Sequence, residues 1–245
     1  MNRYYYDLHI HSCLSPCADD DNTPNNIAGM ATLCGLNIIA LTDHNTTKNC
    51  PAFFSAAKKY GLIPIAGMEL TTSEDIHVVC LFELLEDAMS FGKYVDDHRI
   101  KVKNKPNIFG NQLVLDSEDN IVAEEEFLLI NATDISIESV SEIVTSYNGV
   151  CYPAHIDRDA NGIVAILGTI PDNDDFTLYE LHDGGRADEF SARFGIDKSN
   201  FIISSDAHYL TDMKDKENFF ILDDEPYSSA RVTRELFQML RGKFI

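Results

Sequence analysis

The chain of 245 residues carries 19 basic against 40 acidic side chains, a formal charge of −21. Its length suits one α/β barrel or two small domains, and no stretch supplies the roughly 20 apolar residues that cross a bilayer. The acidic excess argues against a nucleic-acid partner, because a phosphate backbone calls for a basic face.

Met1-Asn2-Arg3-Tyr4 holds one basic residue and runs straight into a polar motif, unlike a signal peptide, so a cytoplasmic location is expected. A first strand is expected at residues 4–10. Thr23-Pro24 then reads as N-cap and N1 proline of a helix with Ile27, Met30, Ala31 and Cys34 on one face, stopped by Gly35. Residues 37–41 are apolar throughout, as in a parallel strand buried on both faces. A helix at 50–60, strands at 62–66 and 76–82, and a helix to 97 continue the alternation that marks a parallel α/β fold.

The alternation breaks at residues 98–130, where 112–115 and 121–123 flank a turn at 116–120 and read as a β-hairpin. We take this as an insertion projecting from the barrel and placed to cover its site. A helix at 136–147 follows, then a strand at 150–153, a polar stretch, a strand at 176–181, a helix at 186–194 and a strand at 201–204. After the run 218–222, a helix from residue 228 puts Val232, Leu236, Met239 and Leu240 on one side, a barrel-packing face.

All histidines except His98 sit beside these apolar runs. The ends of strands are where open α/β sheets and barrels bind ligands, and imidazole with carboxylate is the donor set of divalent metals. In His9-Ile10-His11 the two rings point to one side of a strand, and Asp206-Ala207-His208 repeats that spacing. Glu69 follows its strand too; its two oxygens can bridge two metals, and Gly67 beside it allows close backbone approach. Bound cations would also give this acidic protein the local positive centre that an anionic substrate needs. The six cysteines (Cys13, Cys17, Cys34, Cys50, Cys80, Cys151) lack paired CxxC spacing and read as reduced thiols.

Asp7-Leu8-His9-Ile10-His11-Ser12, Thr42-Asp43-His44-Asn45, Gly67-Met68-Glu69, Ile76-His77-Val78-Val79, Pro153-Ala154-His155 and Ser205-Asp206-Ala207-His208 resemble, in this order, the motifs of the polymerase-and-histidinol-phosphatase (PHP) superfamily. The resemblance spans residues 7–208. It implies a distorted seven-stranded TIM-like (β/α) barrel, residues 1–245 forming one domain with the hairpin insertion, and a metal-dependent phosphoesterase. Two or three divalent ions, zinc, manganese or iron, would sit at the strand ends.

Carried over by motif, His9, His11, Glu69 and Asp206 would hold one metal, and Glu69 as bridge with His77 and His155 a second. His44 and His208 would hold a third. The remaining ligand of that third site is either Cys17 or Asp19, where the family usually offers His or Asp; a thiolate would favour zinc or iron. The alternative is that Cys17 is a plain loop thiol. His77 is the odd member, since it opens its apolar run where the others close theirs.

Arg158, three residues beyond His155, has the donor fork that suits phosphate oxygens. His182, after the sixth strand, is a second substrate-binding candidate, whereas His98 is expected to be solvated. The implied reaction is attack of a metal-activated hydroxide on a small phosphorylated metabolite or nucleotide, with no nucleic-acid or membrane partner. His44, Glu69, Asp206 and His208 form its catalytic group; His44 or His208 could protonate the leaving group only if neither binds a metal. An amidohydrolase-type barrel also begins with HxH, but its bridging lysine has no counterpart after these strands. A non-catalytic metal-binding PHP module is the remaining alternative, opposed by the near-complete ligand set.

Overall fold

The computed structural model describes residues 1–171 and 175–242. In chain order the elements are β1 (Asn2–Ile10), α1 (Pro24–Leu33), β2 (Ile38–Leu41), α2 (Cys50–Lys59), β3 (Ile63–Thr71), β4 (His77–Phe82) and α3 (Leu85–His98). The middle of the chain forms α4 (Pro106–Phe109), β5 (Leu113–Leu115), β6 (Ile121–Glu124), α5 (Ile137–Ser146) and β7 (Gly149–Pro153). There follow α6 (Ile163–Leu167), β8 (Tyr179–Leu181), α7 (Ala187–Phe194), β9 (Phe201–Ile203), β10 (Phe219–Leu222) and α8 (Ser229–Gly242).

A mixed sheet runs in the order β10-β1-β2-β3-β4-β7, and β8 pairs with β9 in parallel. The sheet curls so that its ends meet this pair. The Ile156 amide donates to the Glu180 carbonyl at 2.9 Å, and the His11 amide to the Ala207 carbonyl at 3.0 Å. Inside the curl, Tyr6, Leu8, Ile38, Ile63, Ile65, Val79, Leu81 and Tyr152 form one core with Val232, Leu236, Phe237 and Leu240 of α8. The remaining helices bury a separate outer layer containing Phe53, Met68, Phe91 and Val144. Phe237 is fully buried in the inner core. Truncating so large a side chain leaves a cavity, so Phe237→Ala should lower the unfolding free energy by about 3–5 kcal/mol, measurable by urea titration.

The expectation of an all-parallel sheet is corrected at β4, which runs antiparallel to both β3 and β7. Strand β3 continues to Thr71, well past the expected end, and the turn 72–76 closes with the Thr72 amide on the Ile76 carbonyl at 2.9 Å. A parallel return needs a crossover of about a dozen residues, so this short turn dictates a hairpin. Two smaller differences are α6, in a stretch read as polar loop, and a sixth strand cut to Tyr179–Leu181.

Within residues 98–130, β5 and β6 pair antiparallel. Leu113 and Leu115 cluster with Cys13, and Asn49 clamps the hairpin by donating to the Leu113 carbonyl at 3.0 Å and accepting from the Leu115 amide at 2.9 Å. The hairpin therefore lies against the loop that follows β1. His98 is not solvated as expected: it is half-buried, its Nδ1 bonded to the Tyr94 carbonyl at 2.7 Å and its ring on that of Tyr94.

Candidate metal centre

The ends of β1, β2, β3, β7, β8 and β9 and the start of the reversed β4 deliver side chains to one place. Between Asp7 and Ile10, β1 has a bulge against β2. Bulges re-aim side chains beside functional sites. Here Leu8 lies in the inner core and Ile10 in the outer layer, while His9 and His11 turn onto the site. On β3 the period-two face Ile63, Ile65, Gly67, Glu69 points inward in sequence. A methyl on Gly67 would lie 2.8 Å from the Cys80 carbonyl and 2.9 Å from Thr42, so only glycine fits there. His77, anomalous in the sequence, lands with the others because β4 enters from the opposite direction and pairs His77 with Thr71.

Glu69, 1% exposed, is the hub. Its Oε1 lies 2.8 Å from His77 Nδ1, 3.0 Å from His155 Nε2 and 3.4 Å from His9 Nε2. Its Oε2 faces His44 Nδ1 at 3.0 Å and His11 Nε2 at 3.3 Å. Asp206 Oδ1 lies 3.1 Å from His11 Nε2 and 3.3 Å from His9 Nε2. His208 stacks on His11 with ring centres 4.2 Å apart. Among the described residues, three groups have ligand atoms mutually within 4.8 Å: His9, His11, Glu69 and Asp206; His44, Glu69 and His77; and His11, His44 and His208. Cys17, Asp19 and His155 belong to none of them, although His155 Nε2 lies 3.0 Å from Glu69 Oε1. Cys17 is exposed, and Asp19 spends its carboxylate on the Asp21 amide at 2.9 Å in the local turn.

These donors fit divalent cations. Glu69 Oε2, Asp206 Oδ1 and His44 Nδ1 are buried without a hydrogen-bond partner, which is costly unless another group satisfies them. The Nε2 atoms of His9 and His11 face one another at 3.1 Å, as two ligands of one ion do. His155 and Asp206 hold positive φ, 28° and 52°, at the ends of their strands. Such backbone is strained for side-chain-bearing residues and clusters at functional sites.

The electrostatics follow from crowding opposite charges away from water. Burial disfavours charge on His9, yet Glu180, Asp206 and Glu69 together hold its pKa well above the usual range. Burial likewise opposes charge on His11, but Asp206 and Glu69 bring it up to about 9. His44, burial dominating, falls to about 3, and His208 to about 4 through burial and the neighbouring His11. Burial would raise Glu69, but His77, His9 and His44 hold its carboxyl well below the ordinary carboxylate range.

Arg158 and His182 meet at the rim. The guanidinium donates to Asp206 Oδ2 at 2.5 Å, and its other terminus lies 3.2 Å from His182 Nδ1. Asp157 fixes that corner by accepting the His182 and Asp183 amides, each at 2.8 Å. Sequence reasoning missed Lys214, whose ammonium binds the carbonyls of His182 and Ser204 beside this rim. It also missed the groups that hold the imidazoles. Glu180 Oε2 accepts from His9 Nδ1 at 2.8 Å, while His11 Nδ1 bonds Ser15 Oγ at 2.9 Å, which donates to Asp43 at 2.8 Å. Glu180 left one signal, a carboxylate inside the run Leu178-Tyr179-Glu180-Leu181, where an ionised group is tolerated only with partners.

Buried imidazoles and carboxylates converging at the mouth of a curled α/β sheet define a protein equipped to hold divalent metal. The PHP domain model matches residues 7–167, and the chain belongs to the PHP domain family. A 5'-3' exoribonuclease of Haemophilus influenzae is 37% identical over 79 residues, which cover 31% of this chain and 28% of that protein. The fold matches that of the lesion-specific endonuclease PfuEndoQ from Pyrococcus furiosus, with TM-score 0.65 and 19% identity over 98% of this chain and 56% of that one. It also matches a putative metal-dependent phosphoesterase from Bifidobacterium adolescentis, with TM-score 0.58 and 18% identity over 97% and 96% of the two chains.

These relatives overturn the exclusion of nucleic acid drawn from charge. Endonuclease Q, solved on a 27-mer duplex with an abasic lesion at its active site, has the same fold (TM-score 0.64, 18% identity, 98% of this chain and 57% of that one), and the relative matched above is an exoribonuclease. Net charge sums over the whole surface, whereas a phosphate meets only the local field of a site. No helix among the described residues is long and apolar enough to cross a membrane.

Proposed function

We propose that this protein hydrolyses phosphate esters at the Glu69 cluster, with phosphorylated metabolites and nucleotides as its substrate class. The observation carrying this reading is the position of Glu69, whose two oxygens face different sets of imidazoles. His9, His11, Glu69 and Asp206 would hold one cation, Glu69, His77 and His155 a second, and His44 with His208 a third. Zinc, manganese or iron bound there would lower the pKa of a water and neutralise phosphate oxygens. In this reading β1, β2, β3, β4, β7, β8 and β9 are the seven staves of one barrel domain, and the β5–β6 hairpin borders its mouth.

The chain's own groups orient the ester. Arg158 swings from Asp206 to a phosphate oxygen, and His182 stands beside it to contact the substrate. A charge-assisted bond of this kind contributes about 1.5–3 kcal/mol. Arg158→Ala should therefore lower kcat/KM by about 10- to 100-fold, mostly through KM, in steady-state assays at saturating metal.

The deciding experiment is a phosphate-release screen on protein reconstituted separately with manganese, zinc and iron. It covers phosphorylated metabolites, nucleotides and 5'-phosphorylated oligonucleotides. Hydrolysis that requires metal and vanishes in Glu69→Gln is expected. A metal-loaded protein inert toward every ester, or one equally active as Glu69→Gln, overturns the reading.

A further inference from the structure

We propose that Glu180 is a positioning residue serving both halves of the metal centre, an inference that rests on the metal-site reading above. A single atom, Oε2, accepts from His9 Nδ1 at 2.8 Å and from the His155 backbone amide at 3.0 Å. His9 belongs to the cluster with His11 and Asp206, whereas His155 lies 3.0 Å from Glu69 Oε1, on the side of His77. One carboxylate oxygen therefore ties the His9 ring to the backbone of His155, which the metal-site reading assigns to the second cation.

The bond to His9 makes Nδ1 the protonated nitrogen and turns Nε2 toward Glu69 and Asp206. Partners of this type orient a ligating imidazole and raise its basicity. The bond to His155 acts on backbone. His155 sits at φ 28°, a strained conformation that persists only when its surroundings hold it. The Glu180 carboxylate supplies one such hold on the amide, and the Arg158 amide binds the His155 carbonyl at 2.9 Å from the other side.

Glu180 gains little as a brace for the fold alone. It is 1% exposed, and its second oxygen, Oε1, is buried without a hydrogen-bond partner. Burying an ionised carboxylate is costly even when it is paired. A chain that keeps one at this position uses the charge, and the two groups it touches are a ligand ring and the backbone of a second ligand.

The test is isothermal titration of manganese or zinc into the metal-stripped full chain, comparing wild type with Glu180→Gln, Glu180→Ala and Glu180→Asp. Second-sphere losses of this type weaken affinity about 10- to 100-fold. Such a loss is expected in both the first and the second binding step of Glu180→Gln and Glu180→Ala, with partial recovery in Glu180→Asp. The metal-free variants should melt below wild type, because His9 loses its buried counter-charge, so affinities are compared at a temperature where every variant is folded. Unchanged affinities, a loss confined to one step, or metal-free variants that melt several degrees lower with unaltered affinity would each overturn the proposal. Wild-type protein that binds no metal would instead overturn the metal-site reading.

Discussion

Glu69→Gln is expected to remove metal and turnover together, with a fall in kcat/KM of about a hundred- to several-thousandfold. The substitution preserves volume and leaves one oxygen, so steric damage to the fold is minimal. What it removes is the negative charge and one of two acceptor faces. Five imidazoles, those of His9, His11, His44, His77 and His155, lie within 3.4 Å of the two carboxylate oxygens. An amide can present an oxygen to one side only; its NH2 group faces the other and repels any cation there.

The magnitude follows from leaving buried charge without its counter-charge, which costs about 3–5 kcal/mol, with a tenfold change for every 1.4 kcal/mol. The measurement pairs elemental analysis of the purified variant with kcat/KM across a range of added metal. Activity restored to the wild-type level by excess metal would reduce Glu69 to one replaceable ligand and sink the bridging role.

The candidate ligands that announced themselves in the sequence did so through one physical rule, that an apolar strand must end before a polar site begins. His9, Glu69, His155 and Asp206 all obey it, because β1, β3, β7 and the segment after β9 run the same way. His77 breaks the rule only because β4 is reversed, and the short connection 72–76 already dictated that reversal. Ser15 and Asp43 were harder to see: a hydroxyl and a carboxylate in polar loops are ordinary, and only the fold brings them to His11. The bulge at β1 has no sequence signature of its own. Charge misled in a different way, since −21 describes the whole chain while Arg158 and Lys214 stand together at the rim.

Stripping the metals should abolish hydrolysis and lower the melting temperature, and the size of the thermal effect should depend on pH with a definite sign. A ligand at a thousand times its Kd stabilises the native state by about 4 kcal/mol, and 1 kcal/mol moves Tm by about 2–4 °C in a chain of this size. One saturated site is therefore worth about 8–16 °C. In the metal-free protein His11 is raised to about 9 by Asp206 and Glu69 against its burial. A raised pKa contributes stability that is complete below the unfolded value, about 6.5, and is lost as pH climbs through 9. Metal binding has the opposite slope, because ligating imidazoles must be deprotonated. Between pH 6.5 and 9, Tm of the chelator-treated protein should therefore fall while the increment from added metal grows. Differential scanning fluorimetry with and without metal, at matched ionic strength, reads both slopes. An increment that shrinks with rising pH would mean that the stabilising ion binds somewhere other than these histidines.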